Sequence, residues 1–320
     1  MTPPIYVHEY QLRSGVALNA VSQRQVFAGA LIRVADGYGC VHPWPEFGDA
    51  PVAEQLRLLS TGVTTPVTAM ALHCAEIDGT ARRAGVSLFE GLTIPRSHYS
   101  WSFAADTEQQ MQRVITEGWP AIKAKGVAHH AETTRFLTDC AQRFAQQGVR
   151  LRVDFNGVLD QPAFEQFIAS LPPQVSQALD FVEDPFPYDA AAWAEVQQRC
   201  GVKLALDKGW QHGTEGFDAV VVKPARRDWR SVARTHPQHP LVLTSAMDHA
   251  LGQMYAAYEA AVAQSEGQAL DFCGLCTEHL FESDAFFERV NSRGGYLSAD
   301  SSGGGLGFGD ALEALPWCPL

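Results

Sequence analysis

Five short motifs in this chain carry acids and lysines in a repeating order. They are Lys123-Ala124-Lys125, Asp154-Phe155-Asn156, Glu183-Asp184-Pro185, Asp207 and Lys223-Pro224, at intervals of 29, 29, 24 and 16 residues. Each charged group falls at the end of a short apolar run. Side chains at i and i+2 of a strand share a face, so Lys123 and Lys125 point together, as do Arg152, Asp154 and Asn156. If those faces converge, the carboxylates of Asp154, Glu183 and Asp207 surround one point. Like charges at that density are costly unless a cation sits among them. Oxygen-only donors suit Mg²⁺, or Mn²⁺. A single charge after a strand is usually a loop residue reaching water. Six such positions in register are harder to explain that way.

These side chains need a scaffold of repeated units to hold them. Strand-like runs cover 119–125, 150–154, 179–183, 202–207, 219–223, 240–245 and roughly 270–275, with another near 97–103. Helical stretches at 130–147, 161–170, 189–199 and 248–264 lie between them. That alternation implies a parallel sheet in an α/β fold. Eight units predict a (β/α) barrel with its site at the C-terminal strand ends. An open doubly wound sheet has similar local rhythm and is the runner-up. Up to about residue 95 the rhythm differs, with strand-like 27–34, a turn at Asp36-Gly37 and helix-compatible 50–61 and 76–84. The two prolines between Pro43 and Asp49 make that stretch an ordered loop.

Composition narrows the function. The chain has 320 residues, 24 Lys+Arg against 36 Asp+Glu, and a net charge of −12. That balance argues against nucleic acid or an anionic membrane as partner. With 46% hydrophobic and 19% charged residues, the chain is not disordered. Met1 to Gly15 shows no secretory signal, and no apolar run of ~18 residues predicts a membrane span. Seven scattered cysteines fit a reduced, cytoplasmic protein.

In order and spacing the motifs resemble the enolase superfamily, in the subgroup with lysines on opposite sides of the site. In that pattern Lys-x-Lys ends the second strand, Asp-x-Asn the third, Glu-x-Pro the fourth, an acid the fifth and a lysine the sixth. Chain length and the run Arg152 to Gly157 look most like the o-succinylbenzoate synthases of menaquinone biosynthesis. The resemblance implies an enolase-like, modified TIM barrel over 96–294. It also implies an α+β capping domain over 1–95, with a C-terminal return over about 295–320. The chemistry it implies is metal-dependent removal of a proton α to a carboxylate, through an enediolate. In that branch the reaction is the syn-dehydration of 2-succinyl-6-hydroxy-2,4-cyclohexadiene-1-carboxylate. Asp154, Glu183 and Asp207 would hold Mg²⁺ or Mn²⁺. Lys125 would act as base, beside Lys123, and Lys223 would stay charged across the site. Arg152, Ser245 and Asn156 are candidates to hold a small-molecule carboxylate substrate. An N-acylamino acid racemase, a dipeptide epimerase or a cycloisomerase of the same superfamily is the alternative. Two departures, Lys208 after Asp207 and His42 in the cap, bear on the substrate, as do the cap loops at about 15–25 and 42–50.

Other signals carry less. Cys273 and Cys276 have zinc-ligand spacing but no second pair, so buried thiols are expected. The glycine-rich 303–309 stretch reads as a turn. His129-His130 reads as surface. Asp248 and His249 could face the barrel mouth, although a helix-start role for Asp248 is simpler. Trp44, Phe47, Trp101 and Trp210 are expected in the core or lining a pocket on the cap side.

Overall fold

The computed structural model describes residues 3–19, 21–209, 215–299 and 303–320, so Trp210 lies outside the described residues. Near the N-terminus, β1 (Ile5–Arg13), β2 (Val26–Val34) and β3 (Gly37–Val41) form an antiparallel meander. The C-terminal pair Cys318–Pro319 adds to the free edge of β1, which ties the two chain ends together. Helices α1 (Val52–Ser60) and α2 (Pro66–Ala84) cover one face. Ala30, Ile32 and Val41 pack there against Val52, Leu56, Leu59, Val67 and Ala71. Close contact with α2 needs glycine on β3: a Cβ at Gly39 would lie 2.0 Å from the Ala71 carbonyl oxygen.

Seven parallel strands follow in chain order: β4 (Tyr99–Ser100), β5 (Ala121–Lys125), β6 (Arg150–Asp154), β7 (Leu179–Glu183), β8 (Leu204–Leu206), β9 (Ala219–Val222) and β10 (Leu241–Leu243). The eighth position is filled by 270–274, which is not a regular strand. Parallel bridges Leu241↔Leu270 and Thr244↔Gly274 join it to the β10 side, and Ser97↔Cys273 joins it to the β4 side. The ring therefore closes, which selects the barrel over the open sheet. Outward residues such as Ile122, Val153, Val182 and Val220 pack under the surrounding helices. Phe181, Ala205, Ala219, Val221 and Val242 fill the interior.

Helices follow β4, β5, β6, β7, β9 and β10, at Thr107–Glu117, His130–Arg143, Gln161–Ala169, Ala190–Cys200, Trp229–Thr235 and Ala250–Ser265. Aspartates at 106, 160, 189 and 228 cap four of them through backbone N–H groups. The last helix is capped by His249, whose Nδ1 accepts from Leu251 N at 3.2 Å, so Asp248 does not have the expected capping role. Between β8 and β9 no helix occurs among the described residues, which accounts for the short interval from Asp207 to Lys223. The glycine-rich stretch is a turn clamped onto α2: Leu306 N donates to Asp78 Oδ1 at 2.7 Å, and Arg82 donates to the Gly307 carbonyl at 2.7 Å. No helix among the described residues is long and apolar enough to cross a membrane.

Candidate active site

The strand alternation that buries Phe181 inside the ring also turns Lys123, Lys125, Asp154 and Glu183 inward at its C-terminal end. The parallel register sets Lys125 level with Asp154, and Asp154 level with Glu183. Lys125 Nζ donates to Asp154 Oδ2 at 2.5 Å and to Asn156 Oδ1 at 3.3 Å. Lys123 Nζ donates to Glu183 Oε2 at 2.7 Å and lies 3.7 Å from Asp154 Oδ2. Just beyond β8 and β9, Asp207 accepts from Lys223. In the sheet order, β9 lies four places from β5 in a ring of eight positions, so Lys125 and Lys223 face each other across the mouth. All six side chains line one cleft enclosing about 810 Å³. Val16, Ala17, Leu18 and Phe47 reach it from the two N-terminal loops, and Trp101 lines its wall.

The backbone is unusual at the same place. Asn156 (φ 53°), Asp184 (φ 39°) and Met247 (φ 52°) are non-glycine residues in the left-handed region, each just past a strand end. Two of these turns are held by side chains two residues back, and that at Asp184 by the next strand end. Asn156 N donates to Asp154 Oδ1 at 2.8 Å, Asp184 Oδ1 accepts from Asp207 N at 3.0 Å, and Met247 N donates to Ser245 Oγ at 3.0 Å.

Electrostatics follow from the pairing. Burial alone would raise the pKa of Asp154, but Lys125 and Lys123 outweigh it and hold the carboxyl far below its usual range. Asp207 is likewise lowered, because Lys223 overcomes burial. Burial opposes the charge on Lys123, yet Glu183 and Asp154 hold its pKa above the ordinary lysine value. Glu183 is raised, by burial and then by the nearby Asp154. The expected trio of bare acids is therefore a row of ion pairs, and no three described His, Cys, Asp or Glu side chains form a ready metal cage. The donor set nonetheless fits a hard cation. It offers only carboxylate oxygens, and Asp154 and Glu183 already share the single positive charge of Lys123.

Arg152, expected to hold substrate, does not line the cleft. It is fully buried below the mouth, donating to Asp180 at 2.7 Å and to the Phe272 carbonyl at 2.5 Å and ion-paired with Asp271 at 2.9 Å. The β6–β7 register slips between Leu151 and Arg152, which leaves Asp180 out of the ladder and available to it. Ser245 does line the cleft, with its hydroxyl 2.7 Å from Thr277 Oγ1. Asn156 lines it too and accepts from Lys125.

His98, which the sequence reading passed over, also lines the cleft. Its Nδ1 is 3.1 Å from Arg152 Nη1. A guanidinium only donates, so Nδ1 accepts and the ring proton sits on Nε2. Burial, then Arg152, holds the pKa of His98 well below the usual histidine value. Gly274 makes room for it: a Cβ there would lie 2.9 Å from His98 Nε2. Only its place in the weak 97–103 strand could have marked this histidine.

The remaining candidates sit elsewhere. Asp248 and His249 face the N-terminal sheet and not the mouth: the His249 ring lies 4.8 Å from the Tyr10 ring, tilted by 49°. Cys273 and Cys276 are buried free thiols. His129 is exposed, as expected. Trp44 is buried, donating to the Ala246 carbonyl at 2.8 Å.

Known proteins match this arrangement at several levels. Residues 5–81 match the family model described as O-succinylbenzoate synthase, N-terminal domain, and residues 106–225 match Enolase C-terminal domain-like. An o-succinylbenzoate synthase of Bdellovibrio bacteriovorus is 31% identical over 97% of both chains. Among solved structures, the L-Ala-D/L-Glu epimerase of Bacillus subtilis aligns with a TM-score of 0.77 at 16% identity, over 96% of this chain and 98% of its own. A dipeptide epimerase of Cytophaga hutchinsonii, complexed with Mg and D-Ala-L-Val, also scores 0.77 at 16% identity, over 100% of each chain. At that identity the structural likeness shows the fold alone. The whole-length sequence match and the two family models together show that this chain belongs to the o-succinylbenzoate synthase family of the enolase superfamily.

Proposed function

We propose that the protein is a cytoplasmic o-succinylbenzoate synthase, a hydro-lyase of menaquinone biosynthesis. It would dehydrate 2-succinyl-6-hydroxy-2,4-cyclohexadiene-1-carboxylate to o-succinylbenzoate. The observation that carries this reading is the pair of lysines, 125 and 223, opposed across a cleft lined with carboxylates. The family supplies the substrate.

Lys125, acting as the neutral amine, takes the proton α to the ring carboxylate. Lys223 keeps its ammonium on the other side of the cleft and stabilises the negative charge that develops. Lys125 then returns the proton to the departing hydroxyl on the same face. One C–H and one C–O bond break, water leaves, and the ring becomes aromatic. Asp154, Glu183 and Asp207 would hold Mg²⁺ or Mn²⁺, which supplies Lewis-acid stabilisation of the enediolate. Lys123, held charged by Glu183 and Asp154, stays a fixed cation beneath the reacting centre. The loop residues Val16 to Leu18 and Phe47 exclude water from above.

Purified protein incubated with the cyclohexadiene and Mg²⁺ should consume the diene absorbance rapidly, and EDTA should stop it. Absence of any loss in the presence of Mg²⁺ removes this reading. The opposed lysines also suit an epimerase of N-acylamino acids or dipeptides, or a cycloisomerase. A racemase needs a lysine on each face, so Lys223→Met would abolish epimerisation. In a synthase the same variant keeps residual exchange of the α-proton with deuterated water through Lys125.

A further inference from the structure

Resting on the synthase reading, we infer that Lys208 binds the second carboxylate of the substrate, at the end of its succinyl tail. A dicarboxylate cannot place both of its charges against the row of acids at the mouth. The cleft continues past Phe47 into a second cavity of about 1200 Å³, and the two share Phe47, Asn156, Asp207, Lys223 and Met247. Lys208 lines this extension together with Arg226, Arg227 and Lys223. Lys223 is paired with Asp207, and Arg227 has a partner of its own. Arg226 is already committed, with Nη1 2.8 Å from Asp49 Oδ1 and Nη2 2.5 Å from Asp49 Oδ2. Glu46, on the same wall, is committed to Arg24 at 2.8 Å.

Lys208 is different. Among the described residues it makes no ion pair and no hydrogen bond, and its ammonium rests 3.9 Å from the centre of the Phe47 ring. Asp154, Asp184 and Asp207 act on it electrostatically without reaching bonding distance. A cation held only by an aromatic face is poised for a better partner, because a charge-assisted hydrogen bond to a carboxylate is stronger than a cation–π contact. Phe47 lines both cavities, so it holds this ammonium at the junction a tail must cross. The other candidates fail on position or charge. Arg152 lies below the cleft, and Ser245 is neutral and bonded to Thr277.

The test compares two probes on the full-length protein with Mg²⁺, by titration calorimetry. One is o-succinylbenzoate. The other is 2-butyrylbenzoate, which has the same ring carboxylate and ketone but a methyl group in place of the tail carboxylate. Wild type should prefer o-succinylbenzoate by about tenfold or more, as one charge-assisted pair allows. Lys208→Gln should erase that preference while leaving 2-butyrylbenzoate binding unchanged, and Lys208→Arg should keep most of it. In turnover, Lys208→Gln should raise KM by about the same factor and leave kcat within about twofold. A preference that survives in Lys208→Gln overturns the assignment. Equal binding of both probes by wild type shows that no tail subsite exists. Failure of wild type to bind either probe, with no turnover of the diene, removes the synthase reading itself.

Discussion

The barrel mouth and the seam between the N-terminal sheet and the barrel both bury ionisable side chains, and they treat charge in opposite ways. At the mouth every acid of the row has a lysine: Asp154 with Lys125, Glu183 with Lys123, Asp207 with Lys223. At the seam lie Tyr10 on β1, Cys40 on β3, His42 just after it, and Asp248 and His249 just before the last barrel helix. Tyr10 Oη is 2.9 Å from His42 Nδ1 and 3.3 Å from Cys40 Sγ. Among the described residues no lysine or arginine pairs with Asp248, and neither of its carboxylate oxygens has a hydrogen-bond partner. Burial pushes Asp248 up to about 7 and both His42 and His249 down to about 3. Asp154 is as deeply buried as Asp248, so desolvation alone does not decide ionisation. A cation within reach does. Asp154 and Asp207, each beside a lysine, are held below the usual aspartate range, whereas Asp184 at the same strand ends pairs with no lysine among the described residues and is pushed well above it by burial and then by Asp207.

The strongest way to break the contrast is to take away a lysine at the mouth. Lys125→Ala should lower kcat by about 10³-fold or more, the usual scale for losing a general base, with circular dichroism unchanged. A variant that keeps full turnover of the diene would show that the proton goes elsewhere. Asp154 would also lose its nearest cation in this variant and retain only Lys123 at 3.7 Å.

Next comes Arg152, which carries the mouth's rule of paired charge down into the barrel floor. Its guanidinium is fully buried between Asp180 and Asp271 and lies 4.4 Å from the centre of the Phe181 ring. Removing one partner of a buried pair strands the other charges, so Arg152→Met should destabilise the fold by about 3–5 kcal/mol in urea unfolding. Arg150, which bonds both aspartates at 2.8 and 2.7 Å but is far more exposed, should cost less as Arg150→Met. Equal losses from the two variants would show that depth adds nothing to this network.

Arg152 also shows where sequence reading reaches its limit. The i, i+2 rule correctly set it on the inward face with Asp154. The rule gives a face and not a depth, and two residues along a strand amount to about 6.6 Å, enough to move a group from the mouth to the floor. By contrast, Asp154 and Glu183 were legible to the residue, because each closes an apolar strand at an interval that fits one strand–helix unit. Helix Thr107–Glu117 was missed because its buried face is Gln110, Met111 and Val114, too thin an apolar stripe to show a period. The eighth barrel position was read as a strand, and 270–274 does fill it, through isolated bridges alone. His98 carried no signal beyond a weak strand, since β4 is two residues long. The positive φ at Asp184 goes with a contact from Asp207, far along the chain, which no local pattern encodes, whereas Asn156 and Met247 are held by hydrogen bonds to side chains two residues back.

The smallest effect belongs to the seam, and its sign differs from that of the usual acid. Tyr10 faces the cluster from β1, Cys40 from β3, His42 from just after it, and His249 from the chain beside it; Arg226 is the cation that acts on Asp248 at longer range. An aspartate whose folded pKa is raised to about 7 holds its proton in the native state while the unfolded chain, near 3.9, has lost it. The native state binds more protons across that window, so the stability from this group falls as pH rises from about 4 to about 7, and the penalty is complete above it. Asp248→Asn removes the charge at nearly constant shape. It should raise Tm by a few degrees at pH 8, and the gain should shrink steadily toward pH 4. Lys125→Ala should show no such pattern, because Asp154 beside it titrates in the opposite sense. A Tm difference that stays constant from pH 4 to pH 8 would mean that Asp248 has found a partner at the seam, and that the contrast between the two regions does not rest on pairing.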